Sequence, residues 1–163
     1  MSNCRFDRAK NELYFEDYRI GCVYELGSIS LSQAEILEFA GRYDPQPFHT
    51  DPNRARSSVY GGLIASGWHT SCLMMRLLVD HFLSSAASLG SPGVDELRWL
   101  KPVRPGDVLS VRVTVMDAKR SRSKPDRGII QSFIEVSNGA GETVMTMKAA
   151  NLMLCREPVA MDA

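Results

Sequence analysis

RYDPQPFHTDPNRARSSVYGGLIASGWHT, residues 42–70, is the stretch whose reading decides the fold. Asp44 and His49, both able to move protons, stand five residues apart around Pro45 and Pro47. Proline fixes φ and pushes the residue before it to extended geometry. Asp44-Pro45-Gln46-Pro47 therefore reads as a rigid, non-helical loop that presents Asp44 and His49 at a set separation. Gly61-Gly62 follow, then Ser66-Gly67, where a long apolar helix opens with Ser66 as its N-cap. Trp68, Cys72, Met75, Val79 and Phe82 recur along it at three- and four-residue spacing, with Leu73, Leu77, Leu78 and Leu83 on other faces. An all-round apolar helix over Ser66–Leu83 is expected to lie buried in the middle of the domain.

On the N-terminal side, Val23–Ile29 is a strand candidate after Gly21. Ser32-Gln33-Ala34-Glu35 is a capping box. It is followed by Ile36, Phe39, Ala40 and Tyr43 on one helical stripe, so this helix delivers Asp44 from its C-terminal end. Asp51-Pro52 reads as an N-cap with proline at N1, opening a brief helix to about Ser57. On the C-terminal side the character is β: Val94–Leu100, a turn at Lys101–Gly106, the alternating Val108–Met116, then Gly128–Ser137, an Asn138-Gly139 turn, and Thr143–Leu154. The expectation is an α+β layer pair, the long helix wrapped by an antiparallel sheet. Residues 1–12 are polar and expected to be loosely held.

A chain of 163 residues fits one domain with a sizeable core. Nineteen basic residues balance nineteen acidic ones, so no global field favours nucleic acid or a membrane surface, and neither partner is expected. Cys4, Cys22, Cys72 and Cys155 lie far apart with no CxxC or zinc spacing, which reads as reduced thiols in a cytoplasmic protein. The first residues lack the apolar core of a signal peptide, and Arg76, Asp80 and His81 interrupt the most apolar segment, against a membrane span. His49-Thr50-Asp51 suggests a metal triad, but His69 and His81 lie on the helix just downstream, and no metal is expected.

Asp44-Pro45-Gln46-Pro47-Phe48-His49-Thr50-Asp51 resembles the D-x-N-P-[apolar]-H-x-D motif of the MaoC-like (R)-specific enoyl-CoA hydratase/dehydratase family, which has the hot-dog fold. Gly61–Gly67 is similar to the family's apolar run before the helix start. Leu97–Asp107 (LRWLKPVRPGD) looks like its F/W-x-x-P-V-x-P-G-D segment. The resemblance covers about residues 20–155, between a lead-in at 1–19 and a tail at 156–163. It implies a hydro-lyase that adds water across a trans-2-enoyl-CoA or removes it from an (R)-3-hydroxyacyl-CoA. It needs no cofactor beyond the coenzyme A of its substrate, and its subunits pair as a homodimer or dimer of dimers.

In that reading Asp44 and His49 hold the reacting water, and which of them is the base stays open. The Gly67 N–H, in the first turn of the central helix, is the oxyanion donor. Gln46, Pro47, Phe48, Ser66, Trp68 and Cys72 would contact substrate. Two positions depart from the family: Gln46 stands for its asparagine, and Cys72 for a serine five residues beyond the helix-start glycine. Lys119–Arg127, Lys101 and Arg104 could meet coenzyme A phosphates or be solvated. Rival readings are a hot-dog acyl-CoA thioesterase and a non-catalytic acyl-thioester-binding subunit.

Overall fold

The computed structural model describes residues 2–157. Six strands form one sheet in the order β1-β2-β4-β5-β6-β3. These are β1 (Ser2–Asn3), β2 (Cys22–Ser30), β3 (Gly93–Trp99), β4 (Val108–Arg120), β5 (Arg127–Ser137) and β6 (Thr143–Leu154). All neighbours pair antiparallel except β1, which runs parallel to β2. Four helices cover one face: α1 (Gln33–Tyr43), α2 (Pro47–Thr50), α3 (Pro52–Arg56) and α4 (Gly67–His81). This is the α+β hot-dog arrangement that the resemblance implies.

Local signals account for most element ends. Ser32 caps α1 by accepting from the Glu35 amide, while the Glu35 carboxylate accepts from the Ser32 amide. Asp51 caps α3 by accepting from the amides of Asn53 and Arg54. Between them, Pro47 opens the single turn of α2 at N1. The non-helical stretch therefore ends at Gln46, and Pro47, expected in the loop, instead starts the helical turn that carries His49. In β5, Gly128, Ile130, Ser132, Ile134 and Val136 are buried in strict alternation. Ile130, Ile134 and Val136 join a core that includes Leu109, Val111, Val113, Met145 and Met153, while Gly128 packs against Phe15.

Helix α4 departs from expectation. Thr70, Met74, Leu77 and Leu78 are buried, but the stripe formed by Trp68, Cys72, Met75 and Val79 faces outward. Trp68 is 57% exposed, Met75 46% and Val79 45%. One sheet can cover one side of a helix only, so a helix apolar on two sides keeps its second stripe uncovered within a single chain.

The N-terminal segment is tied down rather than loose. Ser2 and Asn3 pair with Cys22 and Val23, and Phe6 stacks on Tyr24 with ring centroids 4.2 Å apart. Cys4 and Cys22 are joined by a disulfide, with Cα atoms 5.5 Å apart. This corrects the reading of all four cysteines as reduced thiols; Cys72 and Cys155 are free. A spacing of 18 residues carries no pairing signal in itself; the parallel register of β1 on β2 creates it. The expected cytoplasmic setting loses the support it drew from reduced thiols. Among the described residues, no helix is long and apolar enough to cross a membrane. Most of the expected tail, residues 158–163, lies outside the described residues.

The bridge closes a short loop, so Cys4→Ala or reduction should cost about 3 kcal/mol. The melting temperature should then fall by roughly 6–12 °C. Scanning calorimetry with and without reductant reads the shift, and an unchanged transition would mean the strap adds no stability.

Candidate active site

Asp44 is the C-cap residue of α1, its amide still donating to the Ala40 carbonyl at 2.9 Å. The C-terminal end of a helix is a poor place for a carboxylate, and two hydrogen-bond donors offset that. Ser66 Oγ donates to Asp44 Oδ2 at 2.7 Å. Gln46 Nε2 donates to Oδ1 at 2.7 Å. His49 Nε2 lies 3.4 Å from Oδ2. Partial desolvation pushes the Asp44 carboxyl up, but the hydrogen bonds from Gln46 and Ser66 lead the opposing pull, and the group is held below the usual carboxylate range. Gln46 thus has a visible function: its extra methylene over asparagine lets the amide reach back two residues to the carboxylate.

His49 is buried, and its other ring nitrogen selects its tautomer. Nδ1 lies 2.9 Å from the Ile64 carbonyl oxygen. A carbonyl can only accept, so Nδ1 carries hydrogen, and in the neutral ring the Nε2 lone pair turns toward Asp44. The Ile64 carbonyl is itself fixed: the Ile64 amide donates to the Phe48 carbonyl at 3.2 Å and that of Ala65 to the Val103 carbonyl at 2.8 Å. Two hydrogen-bond acceptors, Asp44 Oδ2 and His49 Nε2, therefore face each other at a separation that one water could span, donating a hydrogen to each.

Ser66 joins this pair to α4. While donating to Asp44, its hydroxyl accepts from the Trp68 amide at 3.2 Å and so caps the helix. Gly67 is the first helical residue, and its N–H has no acceptor within the helix. A cavity of about 590 Å³ opens here, lined by Asp44, Gln46, His49 and Gly67 with Tyr43, Phe48, Tyr60, Trp68, Trp99 and Val144 among its walls. The volume lies in the range of small-molecule sites.

Of the residues expected to meet substrate, Gln46, Phe48 and Trp68 line this cavity; Pro47, Ser66 and Cys72 do not. Pro47 starts α2, Ser66 is buried behind Asp44, and Cys72 lies on the outward stripe of α4. Tyr43, Tyr60 and Trp99 were not singled out from sequence. Trp99 stood inside a quoted motif, but nothing local says which way the last residue of an edge strand points.

His69 stacks on Phe39 of α1, centroids 4.5 Å apart. Burial pushes its pKa down against the opposing pull of Glu35. Asp51 spends its carboxylate on capping α3 rather than beside His49. Lys101 lines the cavity but is paired with Glu142, and Arg104 donates to the Tyr60 carbonyl. The basic hairpin lies at the other end of the sheet. β6 runs from Val144 at the cavity to Leu154 opposite Arg127, roughly 30 Å at strand rise. It cannot reach its own chain's site.

The family pattern described as "MaoC like domain" matches residues 18–134. The chain belongs to the MaoC-like dehydratase family. A MaoC-like dehydratase from Rhodospirillum rubrum has a crystal structure that superposes with a TM-score of 0.83 at 40% identity, covering 89% of this chain and 99% of that one. The uncharacterized protein YdeM of Bacillus subtilis is 28% identical over 123 residues, 76% of this chain and 86% of its own length. A mesaconyl-CoA hydratase of Haloarcula marismortui is 38% identical over 71 residues, 43% of this chain and 20% of that protein. The matched family region contains the Asp44–His49 loop, Ser66 and Gly67.

Ser66→Ala tests how the MaoC-like site holds its carboxylate. The Asp44 pKa is depressed, so its contribution to stability is full above the ordinary aspartate range and is lost as pH falls through the depressed value. Removing the Ser66 hydroxyl should raise the Asp44 pKa, so that the contribution shrinks and its loss is complete at higher pH. It should also cost about 1 kcal/mol at neutral pH through the lost cap. Carboxyl-carbon NMR titration of Asp44 reads the first effect, and an unmoved titration would remove Ser66 from control of the carboxylate.

Proposed function

We propose that this protein catalyses the reversible hydration of a trans-2-enoyl-CoA to the (R)-3-hydroxyacyl-CoA, with Asp44 and His49 as the proton-handling pair and the Gly67 amide as the donor to the thioester oxygen. One observation carries the reading: Asp44 Oδ2 and His49 Nε2 lie 3.4 Å apart in the lining of a cavity that Gly67 also lines. A water donating to both turns its oxygen lone pairs away from them, toward the cavity. As that oxygen bonds to the β-carbon, the pair takes one of its protons. Charge moves onto the thioester oxygen, where the Gly67 N–H and the positive end of α4 meet it. The pair then returns a proton to the α-carbon, completing the addition of water without touching the thioester bond. Family membership supports this chemistry, as does the hydratase named among its relatives, which acts on a CoA thioester.

The experiment is turnover of crotonyl-CoA by the parent and by Asp44→Asn and His49→Gln. The conjugated thioester absorbance should fall with little free thiol released, and each substitution should lower kcat by roughly 10²-fold. Thiol release that outpaces loss of the double bond and vanishes in Asp44→Asn would make the protein a thioesterase. Ligand binding without turnover by the parent would leave a binding subunit.

The same reading includes a homodimer. The outward stripe of α4, together with Val94 and Trp99 on the edge strand β3, leaves an apolar surface that a single chain does not cover. Val79→Glu should shift the mass in light scattering from dimer to monomer; an unshifted dimer would place the interface elsewhere.

A further inference from the structure

Trp99 closes β3, and its indole lies against the first turn of α4. A Cβ added to Gly67 would stand 2.5 Å from the indole Cδ2 and Cε2 and 2.9 Å from Cγ, closer than any real side chain can come. Glycine is required at 67 because the indole occupies the space. The indole also makes a polar contact: Trp99 Nε1 donates to Ser71 Oγ at 3.3 Å. Ser71 Oγ in turn lies 3.0 Å from the Gly67 carbonyl and 3.5 Å from Met145 Sδ. The hydroxyl has one proton, and the carbonyl is the nearer and stronger acceptor. The strand that carries Trp99 is held in turn by its pairing with Met145 and by the Leu100 amide donating to the Val144 carbonyl at 2.8 Å.

A first-turn glycine is a poor fixed donor on its own. Glycine has the widest backbone freedom of any residue, and the first helical amides lack intrahelical partners. An amide that stabilises developing charge has to be aimed before the reaction begins. Here the aim comes from outside the helix. Ser66, the residue before Gly67, is held by its bonds to Asp44 and the Trp68 amide, while the indole and the Ser71 hydroxyl fix the Gly67 Cα and carbonyl. We propose that Trp99 is a positioning residue for the Gly67 amide, acting by contact with Gly67 and through Ser71. The assignment rests on the reading above only in taking the Gly67 N–H as the donor to a thioester oxygen.

Trp99→Phe keeps a ring over Gly67 but removes the N–H; Ser71→Ala breaks the next link. Each should lower kcat on crotonyl-CoA about tenfold, the scale of a slightly misplaced group, with KM changed less than twofold. Infrared difference spectra of bound [1-13C]butyryl-CoA supply a readout that needs no turnover. The thioester carbonyl should move to lower frequency on the parent and move less on both variants. A tryptophan that only packed at a subunit interface would change oligomeric mass and melting temperature but leave the carbonyl band where the parent puts it. If both variants keep the parent's kcat and carbonyl shift, the proposal is overturned; an unshifted carbonyl on the parent overturns it as well. A parent that shows the shift, loses it in the variants and hydrates nothing would sink the hydratase reading while leaving Trp99 in its role. Should Trp99→Phe fail to fold, Ser71→Ala decides alone, since it removes one oxygen from a half-buried residue.

Discussion

The hydrogen bond from Ser66 Oγ to Asp44 Oδ2, 2.7 Å long, holds two helix ends together. Asp44 ends α1 and Ser66 starts α4, so the bond joins a C-terminus to an N-terminus. Carboxylates are disfavoured at the first kind of end and favoured near the second. Placing Asp44 between the two tempers the penalty it meets on α1. The loop that separates them, residues 45–65, closes on itself through the Ile64 amide to the Phe48 carbonyl and through His49 Nδ1 to the Ile64 carbonyl. The side chains that could do chemistry are therefore set by helix ends and short backbone contacts, and not by the mobile tips of long loops.

The sheet explains why the cavity lies where it does. β4, β5 and β6 have neighbours on both sides, whereas β3 pairs only with β6. Its outer edge, with Val94 and Trp99 exposed, borders the cavity wall formed by Trp99, Leu100 and Val144. The bulge between Asp95 and Arg98, where Glu96 takes a φ of +51°, twists this edge strand away from regular pairing. A site beside an unpaired edge and an uncovered helix stripe stands where a second subunit would close it.

Much of the fold was legible because several signals agreed at the same positions. The capping box at Ser32–Glu35, the proline-led cap at Asp51-Pro52 and the alternation in β5 each named an element and its end. Asp44 and His49 were legible because proline restricts the loop between them. What was not legible depends on distant partners. Cys4 and Cys22 meet only because a two-residue strand finds β2. Trp68, Cys72, Met75 and Val79 share helical spacing with true core positions, and periodicity cannot say which of two apolar stripes a sheet will cover. Gln46 looked like a departure from a motif, yet its amide spans the distance to Asp44 that the structure requires.

The sharing of one hydroxyl has a further consequence for the chemistry. Ser66 Oγ gives its proton to Asp44 and takes the Trp68 amide, so both of its polar roles are filled before substrate arrives. The negative charge of Asp44 is thereby satisfied by Ser66 and Gln46 side chains, and it does not draw on the Gly67 amide. Had the carboxylate itself capped α4, as Asp51 caps α3, it would have stood where the proposed reaction puts the thioester oxygen and repelled the charge developing there. A neutral serine cap keeps the N-terminus of α4 positive toward the cavity. It also holds Asp44 one hydrogen bond away, separating the proposed proton-handling group from the proposed oxyanion donor.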